Sequence, residues 1–210
     1  NFILGRGFDR IGFVVFARDA FQQAPPTLDY PTLMTTLDEI QLATNLRIDD
    51  GTAIGMGIAS AGNMLRTSTA VSKIVILLTD GANNAGGIGP ITAAQAVASF
   101  GIRVYTISMG KAGLVPVPVD DSGNTQLVES DLDEPTLQAI ARSTSGQYFR
   151  AQDLTDLQQI YDEIDLLERS DVERQVYVRW QEQAEGLLWG GIILLILKLL
   201  LRYTVFQTIP

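Results

Sequence analysis

The sequence predicts an α/β fold, doubly wound around a mostly parallel open sheet. Three observations point there. Short apolar runs recur at residues 11–16, 74–79 and 104–108. The first two are apolar almost throughout rather than alternating, which suits strands covered on both faces. Between and after the runs lie segments of helical periodicity, and strands that alternate with helices build parallel sheets through crossover connections. Finally, 46% hydrophobic and 19% charged residues are too apolar for a disordered chain, and 210 residues hold one such domain plus a short appendage.

Each helical segment carries its own signals. Residues 53–65 place Ile54, Ile58, Ala61 and Leu65 on one face. Residues 91–100 follow Pro90, a favourable first helical position, and stop at Gly101. Residues 134–143 begin after Asp133, group Leu137, Ile140 and Ala141, and stop near Gly146. Thr155 with Gln158 resembles a capping box, and the helix behind it aligns Leu157, Ile160, Tyr161, Ile164 and Leu167. Asp162-Glu163-Ile164-Asp165 reads as its solvated face. Gly55, Gly57 and Gly62 read as small residues that let a helix pack closely on the sheet. No Gly-Lys-Ser/Thr follows them, so they form no phosphate loop. Met56, Met64 and Met109 read as core filling.

Two segments break the rhythm. Residues 114–119, the turn Asp121-Ser122-Gly123-Asn124 and residues 125–128 read as a β-hairpin inserted after a strand. It is long for a βα connection, so it reads as a functional or docking element whose Leu114, Val115, Val117 and Val119 face water unless covered. Residues 171–180 alternate charged and apolar side chains, with Val172, Val176, Val178 and Trp180 on one side. They read as an edge strand or stalk.

Composition narrows the chemistry. The chain has no His and no Cys, which excludes disulfides, zinc clusters, Cys nucleophiles and Ser-His-Asp triads. A net charge of −9 argues against a nucleic-acid partner. Residues 1–185 carry 13 basic against 24 acidic residues, a net −11, whereas the last 25 carry only Lys198 and Arg202. Within that basic tail, residues 186–206 form an apolar window long enough for a transmembrane helix if the two cations snorkel. Trp189 and Tyr203 would sit at the interfaces, and the positive-inside tendency places Pro210 in the cytoplasm and the acidic body outside. An amphipathic or buried helix is the alternative for this window. The domain plan is therefore 1–170 for the α/β domain, 171–185 for the stalk, 186–206 for the membrane helix and 207–210 for the tail. The chain begins at Asn1 with neither a Met nor a signal peptide and reads as a fragment whose N-terminal part precedes it.

Ligands of open α/β sheets bind beyond the carboxyl ends of the strands. Two loops place hard oxygens there. Asp80 ends one apolar run and is followed by Gly81, Asn83 and Asn84, and Asp49-Asp50-Gly51-Thr52 precedes the helix at 53–65. Oxygen donors suit Mg²⁺, Mn²⁺ or Ca²⁺. Read singly, Asp80-Gly81 is also an ordinary turn, and a threonine before a helix an ordinary N-cap.

The pairing of Gly51-Thr52-Ala53-Ile54-Gly55 with Leu77-Leu78-Thr79-Asp80-Gly81 resembles the second and third metal-site motifs of von Willebrand factor A (VWA) domains, a Rossmann-like fold. Leu28-Asp29-Tyr30, Thr92-Ala93-Ala94, the run Gly101 to Ile107, the hairpin around Pro116 and Pro118 and the closing Thr208-Ile209-Pro210 resemble the aerotolerance (Bat) family, its BatA branch above all. The resemblance implies a metal-ion-dependent adhesion site in which Thr52 and Asp80 are two ligands. The remaining motif, Asp-x-Ser-x-Ser, would lie before Asn1 together with the sheet's central strand, so the given chain would hold Mg²⁺, Mn²⁺ or Ca²⁺ weakly. It implies further a non-catalytic module in the bacterial inner membrane, periplasmic in its VWA part. Its partners would be other Bat-type membrane proteins, the lipid bilayer and, indirectly, a MoxR-type AAA+ ATPase. Neither nucleic acid nor a small-molecule substrate is implied. The competing function is a metal-dependent hydrolase or phosphatase using Asp80 with Asp49 or Asp50. No His or Lys stands beside that site, and Lys73 lies at the wrong end of its strand.

Overall fold

The computed structural model describes residues 9–41, 51–110, 114–118, 125–129, 132–177, 189, 191–196 and 198–200. By internal contacts the chain divides into Asn1–Glu168 and Arg169–Pro210. In the first unit β1 (Ile11–Phe16) pairs antiparallel with β2 (Ala20–Thr27), followed by α1 (Tyr30–Asp38) and α2 (Ile54–Leu65). Strand and helix then alternate through β3 (Ile74–Thr79), α3 (Pro90–Ala98) and β4 (Arg103–Met109). A hairpin of β5 (Leu114–Pro118) and β6 (Thr125–Glu129) follows, then α4 (Glu134–Ser143), β7 (Tyr148–Ala151) and α5 (Leu154–Tyr177). β3, β4 and β7 form a parallel sheet in that order, and β1–β2 and β5–β6 are separate antiparallel pairs.

The α/β architecture follows from what each face buries. Ile54 and Ile58 of α2, Ala93, Ala94 and Val97 of α3, and Leu137 and Ile140 of α4 cluster with Leu77 and Val104 on one face. Tyr105, Ile107, Phe149 and Ala151 form the other face under Ile160 and Ile164 of α5. Successive strand residues point to opposite faces, so Val104 and Tyr105 serve different cores. The apolar run of β1 was expected to be covered on both faces. All six of its residues are half-buried instead, and its ladder partner is the antiparallel β2.

The helix ends refine the sequence signals. Asp133 caps α4 by accepting the Thr136 N–H at 3.1 Å, and Leu137, Ile140 and Ala141 are buried. At the other end Ser145 takes the left-handed conformation (φ 58°), and the Gly146 N–H donates to the Ala141 carbonyl at 2.9 Å. Gly146 is required for space rather than for φ, because a Cβ there would lie 2.1 Å from the Val104 carbonyl oxygen. α5 is capped by Asp153, not by Thr155. Asp153 accepts the N–H groups of Thr155 (2.8 Å) and Asp156 (2.9 Å), and Asp156 accepts that of Gln152 (2.9 Å). Of the α2 glycines, Gly57 faces Phe16 of β1, but Gly55 faces the Ile88 carbonyl and Gly62 faces Val97 of α3.

In the second unit, residues 171–177 do not form the expected edge strand. They continue α5 to Tyr177. From residue 154 to 177 there is neither Gly nor Pro to stop a helix, and Leu, Glu, Arg and Gln favour one. Val172 and Val176 fit a four-residue helical spacing as well as a strand's alternation. Residues 191–196 and 198–200 are helical and expose Ile192, Leu194 and Leu200, among others. No helix among the described residues is long and apolar enough to cross a membrane. Residues 178–188 and 201–210 lie outside the described residues, as do the hairpin's turn and Val119.

Candidate metal centre

The site is built where β3 ends. Thr79, buried and paired with Ser108 of β4, turns the chain sharply. Its hydroxyl accepts the Gly81 N–H at 3.3 Å and donates to the Gly81 carbonyl at 3.2 Å. Asp80 therefore stands exposed at the apex of a tight turn.

Thr52 arrives from the other loop. The residue at the N-cap of α2 is Ala53, which has no side chain to cap with. The loop after Asp80 supplies the missing acceptors. The Thr52 N–H donates to Asn84 Oδ1 (2.7 Å), the Gly55 N–H donates to Asn83 Oδ1 (3.4 Å), and the Asn84 N–H returns a bond to the Thr52 carbonyl (3.1 Å). The Ala53 N–H donates to the carbonyl of Ala17, the residue after β1 (2.7 Å). These bonds satisfy amides that a helix start otherwise leaves open. They also bring Thr52 beside the Asp80-Gly81 turn: a Cβ on Gly81 would lie 3.7 Å from Thr52 Oγ1. Small residues permit the approach, since a Cβ on Gly51 would meet Ala85 at 2.9 Å. Gly86 (φ 87°) lies where a Cβ would meet Ala53 and Met56, both at 2.9 Å.

Thr52 is thus not an N-cap, and neither its hydroxyl nor the Asp80 carboxylate has a hydrogen-bond or ion-pair partner among the described residues. The amide oxygens of Asn83 and Asn84, candidate donors by their chemistry, are engaged with backbone. Asp49 and Asp50 lie outside the described residues. Lys73 reaches away from this edge, donating to the Phe100 carbonyl at 2.6 Å. No three His, Cys, Asp or Glu side chains converge among the described residues. One carboxylate and one hydroxyl match a hard divalent cation in kind, but fall short of its roughly six oxygens in number. Thr52 and Asp80, expected from the sequence, lie on neighbouring loops; the bonds of Thr79, Asn83 and Asn84 that hold those loops were not expected. The Asn pair was visible, but not its partner some 30 positions upstream.

The chain belongs to the von Willebrand factor type A domain family, whose model matches residues 1–163. Within that family it resembles Bat-type proteins. It is 32% identical to the conserved hypothetical protein BatB of Bacteroides thetaiotaomicron, with a TM-score of 0.66 over 80% of this chain and 83% of that one. An aerotolerance-related membrane protein of Bacteroides fragilis is 30% identical, with a TM-score of 0.63 over 77% of this chain and 81% of that one. A UPF0353 protein of Nocardia farcinica is 30% identical over 172 residues, which is 74% of this chain and 50% of the relative. The chain spans about half the length of the curated relatives it matches.

Proposed function

We propose that this chain is a membrane-anchored, non-catalytic interaction module in which Thr52 and Asp80 help hold a divalent cation completed by a partner's carboxylate. The observation that supports the reading is that Thr52 Oγ1 lies beside the Asp80-Gly81 turn, 3.7 Å from where a Cβ on Gly81 would sit, with neither the Thr52 hydroxyl nor the Asp80 carboxylate engaged among the described residues. Mg²⁺ is the leading candidate, with Mn²⁺ or Ca²⁺ as alternatives. When bound, the cation supplies a positive centre with an open position for an acidic side chain. The chain's own residues position the donors: Asn83 and Asn84 hold Thr52, and Thr79 holds the Asp80 turn. On this reading the other ligands belong to an Asp-x-Ser-x-Ser segment upstream.

Other Bat-type membrane proteins are the partners in this proposal. A MoxR-type ATPase would act indirectly, in envelope stress tolerance. Residues 186–206 are proposed to span the bacterial inner membrane, with Lys198 and Arg202 at the cytoplasmic side and the VWA domain in the periplasm. The exposed apolar side chains from Ile192 to Leu200 support this. An ATPase in the cytoplasm would then reach the domain through membrane segments. The domain limits 1–170, 171–185, 186–206 and 207–210 belong to the same proposal, with helix replacing strand at residues 171–177.

Calorimetric titration with Mg²⁺ and Mn²⁺ tests the site. The 210-residue chain should bind in roughly the millimolar range. A longer chain carrying Asp-x-Ser-x-Ser should bind about tenfold tighter or better, and Asp80→Ala should remove that gain. Equal affinity of the two chains, or no effect of Asp80→Ala, overturns the reading.

A further inference from the structure

The β5–β6 hairpin has two outer edges, and only one of them is closed. In a strand, the N–H groups of alternate residues point to the same edge. Proline has no N–H and fits a ladder only where its nitrogen faces away from the partner strand. Pro116 pairs with Leu127 and Pro118 with Thr125, so the pairs Val115–Val128 and Val117–Gln126 are left to exchange the hairpin's hydrogen bonds. The outer edge of β5 therefore lacks donors at 116 and 118. The same alternation turns the N–H and C=O groups of Thr125, Leu127 and Glu129 toward the outer edge of β6. That strand holds no proline and no lysine, and its register has no bulge. Prolines, lysines and bulges are the devices that keep edges from pairing, and here they protect one side only.

We propose that the outer edge of β6 is a strand-addition site for an extended segment of a protein partner that carries Lys or Arg beside its pairing residues. Backbone pairing supplies the attachment, as in other strand-addition complexes. Charge selects the partner: the chain carries a net −9, and in sequence residues 111–131 hold Asp120, Asp121, Glu129 and Asp131 against the single Lys111. The same charge disfavours a second copy of this chain, which would bring two acidic hairpins together. The hairpin springs from the sheet edge that carries Thr52 and Asp80, between the end of β4 and the start of α4. Its backbone contacts need no metal, so this inference stands apart from the metal reading.

The test uses the full chain in detergent with EDTA present. The probe is a fluorescent ten-residue peptide with an alternating Val/Thr centre and two lysines at each end. We expect saturable binding by anisotropy. Leu127→Pro, which removes an outward N–H while sparing the inner ladder, should weaken it about tenfold, and Leu127→Ala should leave it within about threefold. On the unaltered chain, a peptide N-methylated along its pairing edge, or one with glutamates replacing the lysines, should bind about tenfold more weakly. No saturable binding of the lysine peptide, equal binding of the N-methylated one, or equal binding of the glutamate one overturns the proposal. So does a concentration-dependent dimer that Leu127→Pro dissolves, because the occupant would then be a second copy.

Discussion

Asp80 and Glu168 are carboxylates at opposite ends of the β3–β4–β7 sheet, and they live under opposite conditions. Glu168, in α5, is only 5% exposed beside the beginnings of β3 and β4. Its Oε2 accepts from Ser72 Oγ at 2.5 Å and from the Arg103 guanidinium at 3.0 Å, and its Oε1 accepts from the Tyr105 hydroxyl at 2.6 Å. Asp80 is exposed, and the bonds of its turn run through Thr79 and Gly81 rather than through its own carboxylate. A buried carboxylate must have its oxygens engaged or it destabilises the fold. An exposed carboxylate keeps its water, so only the turn that carries it needs bonds of its own. The two ends of one sheet show a buried, fully bonded carboxylate and an exposed one.

The largest expected effect comes from breaking the satisfied end. Glu168→Ala removes the acceptor shared by Ser72, Arg103 and Tyr105 and should cost about 3 kcal/mol in a urea titration. A loss below about 1 kcal/mol would mean that water replaces the carboxylate and the contrast is weaker than drawn. Gly146→Ala, also near the start of β4, should cost about 2 kcal/mol, because the obstructing Val104 oxygen is backbone and cannot rotate aside. At the bare end, Asn84→Ala should cost about 1 kcal/mol, the scale of a lost helix cap, and should move the Thr52 amide resonance. The smallest effect is that of Asp80→Ala on stability, within about 0.5 kcal/mol of zero. A melt that fell clearly further would make Asp80 structural and erase the comparison.

The parallel half of the fold was legible because its signals are local. The β3 run is continuous and apolar, and α4 announces itself through Asp133 and the spacing of Leu137, Ile140 and Ala141. β2 was not legible, since Pro25 and Pro26 within it argue against a strand. β7 has only four residues, Tyr-Phe-Arg-Ala, too few for a period to show. The misread segment at 171–177 has alternation that satisfies two periods at once, and the uninterrupted helix before it decided the outcome. Thr52 and Asp80 drew attention because their neighbours form a recognisable pair of motifs. Glu168 could not, since nothing local marks one glutamate of a charged helix as the one that meets Arg103, 65 positions away.

The loan of Asn83 and Asn84 to another helix makes α2 a built-in sensor. Hydrogen exchange at the Thr52 and Gly55 amides is governed by acceptors that travel with the Asp80 loop, not with the helix itself. Whatever pins that loop slows exchange at those two protons, and whatever swings it outward uncovers them while the rest of α2 stays protected. A ligand of the Asp80 loop could therefore be detected at the Gly55 amide, in the first turn of α2.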